Sequence, residues 1–337
     1  MRILICTPGF YPQIGGLETI NLLLANELSK RGWEVVVATP VTFSGEDNYR
    51  YKVVRNPGCK ELIKWVKWCD LFVHNSIVIK YLFPLFFIRK PFIVVHHSCS
   101  FNWDQTENIQ SKIKRLVSLS ASNIVVSEAV AQNLRLPQGY CVIHNYYNSD
   151  KFRLTNPNVR TGFIYIGRLS YEKGVDLLLN AYSEYRKRGG IMDLTIVGDG
   201  YLRGELETLS DKLGISGKVI FLGQKNSDEL VDILNSKRTL ILPSVCNEAF
   251  GIVILEAMAC GCYCIGSDGD GIQEAMGSLG TLFRKSNIDS LTEAMLSSDL
   301  VEKEAFDNYQ VRVTEHLKSF SLEEITSKYE KRFMSQI

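Results

Sequence analysis

The segment Gly167-Arg168-Leu-Ser-Tyr-Glu172-Lys173-Gly174 sets two cations five residues apart, between a strand-like run and a helical one. A diphosphate needs charge compensation from two sides, and a guanidinium with an ammonium supplies it. Further on, Pro243-Ser-Val-Cys-Asn-Glu248-Ala-Phe250-Gly251-Ile252-Val253 leads to Glu256, so two carboxylates stand eight residues apart. Along a helix that interval is roughly 12 Å, too far for both to act on one bond. It suits the two ends of one extended ligand, a sugar near Glu248 and a ribose near Glu256. The amides of Gly251 to Val253 then face the phosphates between them. The apolar run Ile252 to Leu255 predicts a buried Glu256, and a buried carboxylate demands a partner.

Two more segments lie in the first half. Tyr11-Pro-Gln-Ile-Gly15-Gly16-Leu-Glu18 puts two glycines just before a helix, where backbone can approach a ligand and leave amides free for an anion. Phe92-Ile-Val-Val-His96-His97-Ser98 ends an apolar strand in two histidines. Adjacent strand residues point to opposite faces, so at most one lines a ligand site, and His97 is the better placed. Its imidazole can meet a sugar hydroxyl or a developing charge. Asp268-Gly-Asp270 imitates a metal-chelating D-x-D pair. With Arg168 and Lys173 already offering positive charge it reads as a plain loop, and no metal is expected. Cys260, Cys262 and Cys264 lack the second ligand pair of a zinc site and read as buried thiols.

The elements that must hold these residues alternate. Strand-like runs fall near Arg2–Cys6, Glu34–Thr39, Tyr51–Val54, Asp70–Val73, Phe92–His96, Asn123–Ser127 and Tyr140–His144. Several are almost wholly apolar, as strands covered on both faces should be. Between the first two, Leu17 to Lys30 predicts a helix facing inward through Ile20, Leu23, Leu24 and Leu28, with a stop at Gly32. The pattern restarts after Asn156-Pro157-Asn158, with strands at Gly162–Gly167, Leu194–Gly198, Lys218–Leu222, Thr239–Leu242 and Cys262–Gly266. Helices are expected over Val175–Arg188 and Arg203–Leu213, and from Asn226, with Glu229 three residues on. A Ser321-x-x-Glu324 capping box opens a last helix, to about Phe333. Such alternation means two similar α/β domains with doubly wound parallel sheets, whose ligands sit beyond the strand carboxyl ends.

At 45 % hydrophobic and 22 % charged residues the chain reads as a soluble globular protein. The longest aromatic-apolar run, Tyr81 to Ile88, is broken by Pro84 and falls far short of the ~18 residues a membrane span needs. Met1 leads straight into a strand, so no secretion signal is expected. Nine scattered cysteines fit a reducing, cytoplasmic setting. The net charge of +1 gives nucleic-acid binding little support. It hides 18 Lys/Arg against 11 Asp/Glu in residues 1–155, and 20 against 26 in 156–337. The first half, at +7, is therefore expected to meet something anionic. Lys60, Lys64 and Lys67 interleave with Trp65 and Trp68, the Tyr81–Ile88 run ends in Arg89-Lys90, and Lys112, Lys114 and Arg115 follow. Cations among aromatics predict peripheral contact with the inner face of the cell membrane; the alternative is that Trp65, Trp68 and the Tyr81–Ile88 run are core residues that the lysines merely cover.

The ordered set of segments resembles family 4 of the glycosyltransferases, retaining enzymes with the GT-B fold, of the bacterial polysaccharide or lipopolysaccharide type. The resemblance rests on Gly15-Gly16-x-Glu18, the strand ending in His97, Val126-Ser-Glu-Ala and Gly167-Arg168-Leu with Glu172-Lys173-Gly174. It continues through Val197-Gly-Asp-Gly200, Phe221-Leu-Gly223, Pro243-Ser244 and Glu248-Ala-Phe-Gly251 with Glu256-Ala-Met-Ala, and so covers nearly the whole chain. It implies two Rossmann-like domains facing each other across a cleft. Residues 1–155 would bind the acceptor and 156–318 the nucleotide sugar, with 319–337 a helix crossing back to the first domain.

The resemblance also implies roles. Arg168 and Lys173 would hold the donor diphosphate, Glu256 the ribose, Glu248 the donor sugar, and His97 the sugar from the other domain. Gly16, Phe250, Gly251 and Ile252 would complete the donor site. The implied reaction moves a hexose, with retention, from a nucleoside-diphosphate sugar to a hydroxyl of a glycan or lipid-linked acceptor in cell-surface polysaccharide synthesis. A UDP-sugar comes ahead of a GDP-sugar, and no further cofactor is needed. Three departures stand out: Asn145-Tyr146 for Asn-Gly, Asp270-Gly271 for Gly-Gly, and Cys262-Tyr-Cys264 for Pro-Val. A sugar-nucleotide epimerase on the same fold is the alternative. A phosphorylase would need a longer chain with a pyridoxal-binding lysine. A dinucleotide oxidoreductase is disfavoured because Gly198-Asp-Gly200 is followed by Gly204, which breaks G-x-G-x-x-G. A non-catalytic binding protein would not need both glutamates and both cations.

Overall fold

The apolar runs of the first half assemble into one sheet. A computed structural model describes residues 1–13, 15–100, 108–155, 160–300 and 303–337. Asn156-Pro157-Asn158, the expected restart, and Ile14 of the glycine loop lie outside the described residues. The strands are β1 (Arg2–Cys6), β2 (Glu34–Thr39), β3 (Lys52–Arg55), β4 (Leu71–Asn75), β5 (Phe92–His96), β6 (Ser122–Val125) and β7 (Cys141–Val142). All pair in parallel in the order β3-β2-β1-β4-β5-β6-β7, so the winding reverses between β1 and β4. Both of these strands are buried almost throughout. Helices α1 (Gly16–Lys30), α2 (Cys59–Trp68), α3 (Ile109–Ser120) and α4 (Glu128–Leu134) form the crossovers, with short 3-10 turns at Ile79–Tyr81 and Phe83–Phe86.

The second sheet repeats the plan with β8 (Phe163–Ile166), β9 (Leu194–Val197), β10 (Val219–Gly223), β11 (Thr239–Leu242), β12 (Tyr263–Ser267) and β13 (Thr281–Phe283). Its order is β10-β9-β8-β11-β12-β13, and its reversal lies between β8 and β11. Helices α5 (Val175–Lys187), α6 (Arg203–Lys212), α7 (Ser227–Ser236), α8 (Ile252–Ala259), α9 (Asp270–Met276), α10 (Ile288–Asp299), α11 (Lys303–Lys318) and α12 (Leu322–Met334) complete the chain. The three-residue edge strand β13 carries no alternation that the sequence could announce. Asn226 and Glu229 form the full reciprocal cap that their spacing predicts. Ser321 accepts from the Glu324 amide at 3.2 Å, but that is half a box, because the Glu324 carboxylate lies toward Lys328 at 3.6 Å.

The chain divides into two compact units, Met1–Tyr146 with Phe320–Ile337, and Tyr147–Ser319. The division precedes residue 155 for a visible reason. Tyr146 Oη donates to the Ile20 carbonyl at 2.5 Å and so belongs to the first unit. Arg153 and Thr155 are instead held by Asn235, through bonds of 3.1 and 2.8 Å. Helix α12 closes the first unit, burying Ile325, Tyr329 and Phe333 and lying against α1. There Glu330 accepts from Arg31 and from the Trp33 indole, both at 2.7 Å.

The surface of the first unit departs from expectation at α2. Trp65 and Trp68 meet edge to face and pack on a core cluster that includes Leu62, Val66 and Tyr81. Lys52 and Lys64 cover the Trp65 ring at 4.9 and 5.0 Å. These lysines are thus cation–π partners of a core-packed indole. The large apolar side chains that stay exposed nearby in sequence are Phe86 and Phe87.

Candidate active site

In the second unit the informative residues follow β8 and β11, the two strands at the winding reversal, where doubly wound sheets hold their ligands. The turn after β8 and the loop after β11 are laced together. Val245 and Cys246 amides donate to the Glu172 carbonyl at 3.0 and 3.3 Å. Gly174 sits between them with φ +64, and a Cβ there would lie 2.2 Å from the Pro243 carbonyl oxygen. Only glycine permits that approach. The lacing brings Lys173 Nζ to Glu248 Oε2 at 2.5 Å, and Ser244 Oγ donates to the same oxygen at 3.1 Å. Both partners keep part of their surface in solvent. Arg168 is exposed at the end of β8, and its backbone is fixed by the Tyr165 hydroxyl, which donates to the Arg168 carbonyl at 2.8 Å.

Phe250 is buried, Gly251 is left-handed at φ 82, and α8 starts at Ile252. No side chain caps that helix start, which leaves its first amides available to an anion. Glu256 lies one turn further on. Some of its surface is open, but its carboxyl is enclosed by protein, and desolvation pushes its pKa up to about 7. Among the described residues it has no hydrogen-bond or ion-pair partner. A carboxyl so placed is ready for hydroxyl donors.

In the first unit, Gly16 is exposed at the start of α1, also without a side-chain cap. His97 lies at the end of β5 and is held by a polar chain that runs under the sheet edge. Asn21 on α1 donates to the Leu17 carbonyl at 2.8 Å and to Thr7 Oγ1 at 2.7 Å, which turns its Oδ1 toward Asn75. Asn75, ending β4, donates to that oxygen, so its own Oδ1 faces His97 Nε2 at 2.6 Å. Nε2 must then carry the proton. Nδ1 is left as an acceptor, buried and unpartnered among the described residues. Burial and the neighbouring His96 lower the ring's pKa to about 3 against a smaller opposing effect of Asn145, so His97 is neutral. His96 instead meets Asn123 at 2.9 Å inside the core.

Thus Arg168, Lys173, Glu248, Phe250, Gly251, Ile252 and Glu256 belong to the second unit, and Gly16 and His97 to the first. Sequence reasoning missed Asn21 and Asn75. Their signal was present: each is a polar residue on an otherwise apolar face, both nearly fully buried. It also missed the role of Gly271, whose amide donates to the Glu248 carbonyl at 3.1 Å. A Cβ on Gly271 would lie 2.1 Å from the Ala249 carbonyl oxygen. In the Asp268-Gly-Asp270 loop both carboxylates are met by Lys285, whose amide donates to Asp268 at 2.7 Å and whose ammonium pairs with Asp270. Tyr146, in place of the expected glycine, needs no left-handed backbone, and it buries its ring. Burial pushes the Cys260 and Cys262 thiols up to about 12.

Comparison with known proteins adds to this geometry. The family described as glycosyl transferases group 1 matches residues 148–309. The fission yeast phosphatidylinositol N-acetylglucosaminyltransferase gpi3 subunit is 24 % identical over 86 % of this chain and 70 % of its own length. The Salmonella typhimurium lipopolysaccharide 1,2-N-acetylglucosaminetransferase is 30 % identical over 41 % of this chain. An uncharacterized glycosyltransferase of Methanocaldococcus jannaschii is 40 % identical over 33 % of it. These last two matches span only 39 % and 28 % of the relatives' lengths. Among solved structures, Anabaena HepE in complex with UDP superposes with a TM-score of 0.83 at 18 % identity, over 99 % of this chain and 100 % of that one. WaaG, a glycosyltransferase involved in lipopolysaccharide biosynthesis, gives 0.73 at 17 %, over 98 % and 99 %. The second half of this chain thus matches the group 1 glycosyltransferases, and its two parallel Rossmann-like sheets have the GT-B fold.

Proposed function

We propose that the chain moves a sugar, with retention of configuration, from a nucleoside-diphosphate donor to a hydroxyl of a glycan or lipid-linked acceptor, in cell-surface polysaccharide synthesis. The observation that carries this reading is the pairing of Lys173 with Glu248 one loop away from the enclosed, unpartnered Glu256. The donor lies along α8, with ribose hydroxyls donating to Glu256 and phosphate oxygens on the amides after Gly251. Lys173, shared between Glu248 and the diphosphate, and Arg168 neutralise charge as the sugar–phosphate bond breaks. Glu248 accepts from a sugar hydroxyl, and in the first unit neutral His97 offers Nδ1 to a hydroxyl donor. A hexose is the sugar of choice. UDP is the first nucleotide to try, since HepE is known with UDP and with UDP-glucose. The site of action is the cytoplasmic side of the membrane, and no described helix is long and apolar enough to cross it.

Thermal-shift screening of nucleoside diphosphates tests the donor half, because a ligand bound only by the folded state raises the melting point. UDP is expected to raise it, and Lys173→Ala and Glu256→Ala to remove most of the rise. Incubating donor with and without acceptor then separates transfer from epimerisation. A new sugar nucleotide formed without acceptor would overturn the transferase reading.

A further inference from the structure

The first unit has its own winding reversal, between β1 and β4, and a groove of about 440 Å³ opens beyond the carboxyl ends of those strands. Its walls are Pro8, Ile77, Ile79 and Ile113, with Lys80 and Lys114 between them. Lys80 is held in place by Asn56 Oδ1 at 2.9 Å. Burial lowers the Lys114 pKa, so an anion beside it would favour the charged form. Residues 76–80 and 108–117, the stretches that supply most of its lining, hold four Lys/Arg and no Asp or Glu. Helix α3, which packs on the Ile79–Tyr81 turn, is inverted relative to a normal surface helix. Ser111 and Ser118 are buried on it, while Ile109, Leu116 and Leu119 are 75, 64 and 57 % exposed. Ile113 belongs both to this apolar stripe and to the groove wall.

We propose that the groove binds a lipid phosphate, its anionic head between Lys80 and Lys114 and its chain along Ile113 and Leu116. As the acceptor class of the transfer proposed above, this rests on that reading. As a binding site it stands on its own. Cations alone would suit any phosphate, and an apolar stripe alone any alkyl chain. Their meeting at Ile113 selects the amphiphile that carries both.

The test uses octyl phosphate below its micelle concentration, with octyl glucoside and inorganic phosphate as the two half-ligands, each titrated calorimetrically into the full chain. Octyl phosphate is expected to bind roughly tenfold tighter than either, about 1.4 kcal/mol, over octyl glucoside through the two cations and over inorganic phosphate through its chain. A Lys80→Gln/Lys114→Gln double variant should lose that advantage, and Leu116→Ser should weaken octyl phosphate without affecting inorganic phosphate. An unchanged melting point checks that both variants fold. Octyl phosphate no tighter than octyl glucoside, or equally tight in the double variant, overturns the site. Inorganic phosphate binding as well as octyl phosphate overturns the lipid assignment. A UDP melting-point rise is measured in parallel. Its absence counts against the donor reading, and the groove is still decided by the octyl ligands.

Discussion

At the residue scale, two groups have protonation states set by burial, and each gives a pH signature. Glu256 is raised from an ordinary glutamate value to about 7. Below about pH 4.5 it is neutral in both folded and unfolded chains. Between there and 7 only the unfolded chain ionises, so stability falls as pH rises through that window, and above it the full cost remains. Glu256→Gln should therefore melt with the wild type at pH 4 and above it at pH 8, by on the order of 1–3 kcal/mol. Equal melting at pH 8 would mean that the carboxyl is solvated. His97 is lowered to about 3 and stays neutral throughout the working range. The rate should thus show no histidine limb between about pH 5.5 and 8. In Asn75→Asp a carboxylate replaces the amide oxygen 2.6 Å from Nε2 and favours imidazolium, so an acidic limb should appear in the pH–rate profile.

At the element scale, the site depends on how the turn before α5 meets the loop after β11. Gly174→Ala combines a left-handed alanine with a contact of 2.2 Å to the Pro243 carbonyl. A loss of about 2–4 kcal/mol is expected. Turnover should fall with it, because Lys173 is the next residue and moves with that turn. Gly204, on α6, has nothing within 4 Å of an added Cβ. Gly204→Ala should raise stability by about 0.5 kcal/mol and leave kinetics alone. Chemical denaturation of the two variants side by side checks both signs. A similar response from both would show that the close approach at Gly174 is relaxed in solution.

At the scale of the whole molecule, the last eighteen residues belong with the first 146, not with the residues they follow. Glu330 secures them by accepting from Arg31 and Trp33. Glu330→Ala leaves both donors without that oxygen and should cost the first unit about 1–3 kcal/mol. All four tryptophans lie in residues 1–146, so indole fluorescence reports this unit. The urea midpoint read by fluorescence is expected to drop, while UDP still raises the melting point.

Much of this was legible in the sequence, and the physical reason is locality. β1, β2, β5 and β11 fall on their predicted bounds because apolar runs between turn signals depend only on chain neighbours. The Asn226 cap is likewise local. So was the ordered set of glycines, cations and glutamates that lies beyond β8 and β11. What segments far apart in sequence do to each other was not legible. The sequence could not say that Lys285 occupies Asp270, that Trp65 and Trp68 cover a core, or that α3 turns its serines inward. Nor could it reveal the path from Asn21 through Asn75 to His97, which joins α1, β4 and β5. Whether a charge is free, paired or desolvated depends on which distant segment packs beside it. That is decided by the tertiary structure alone.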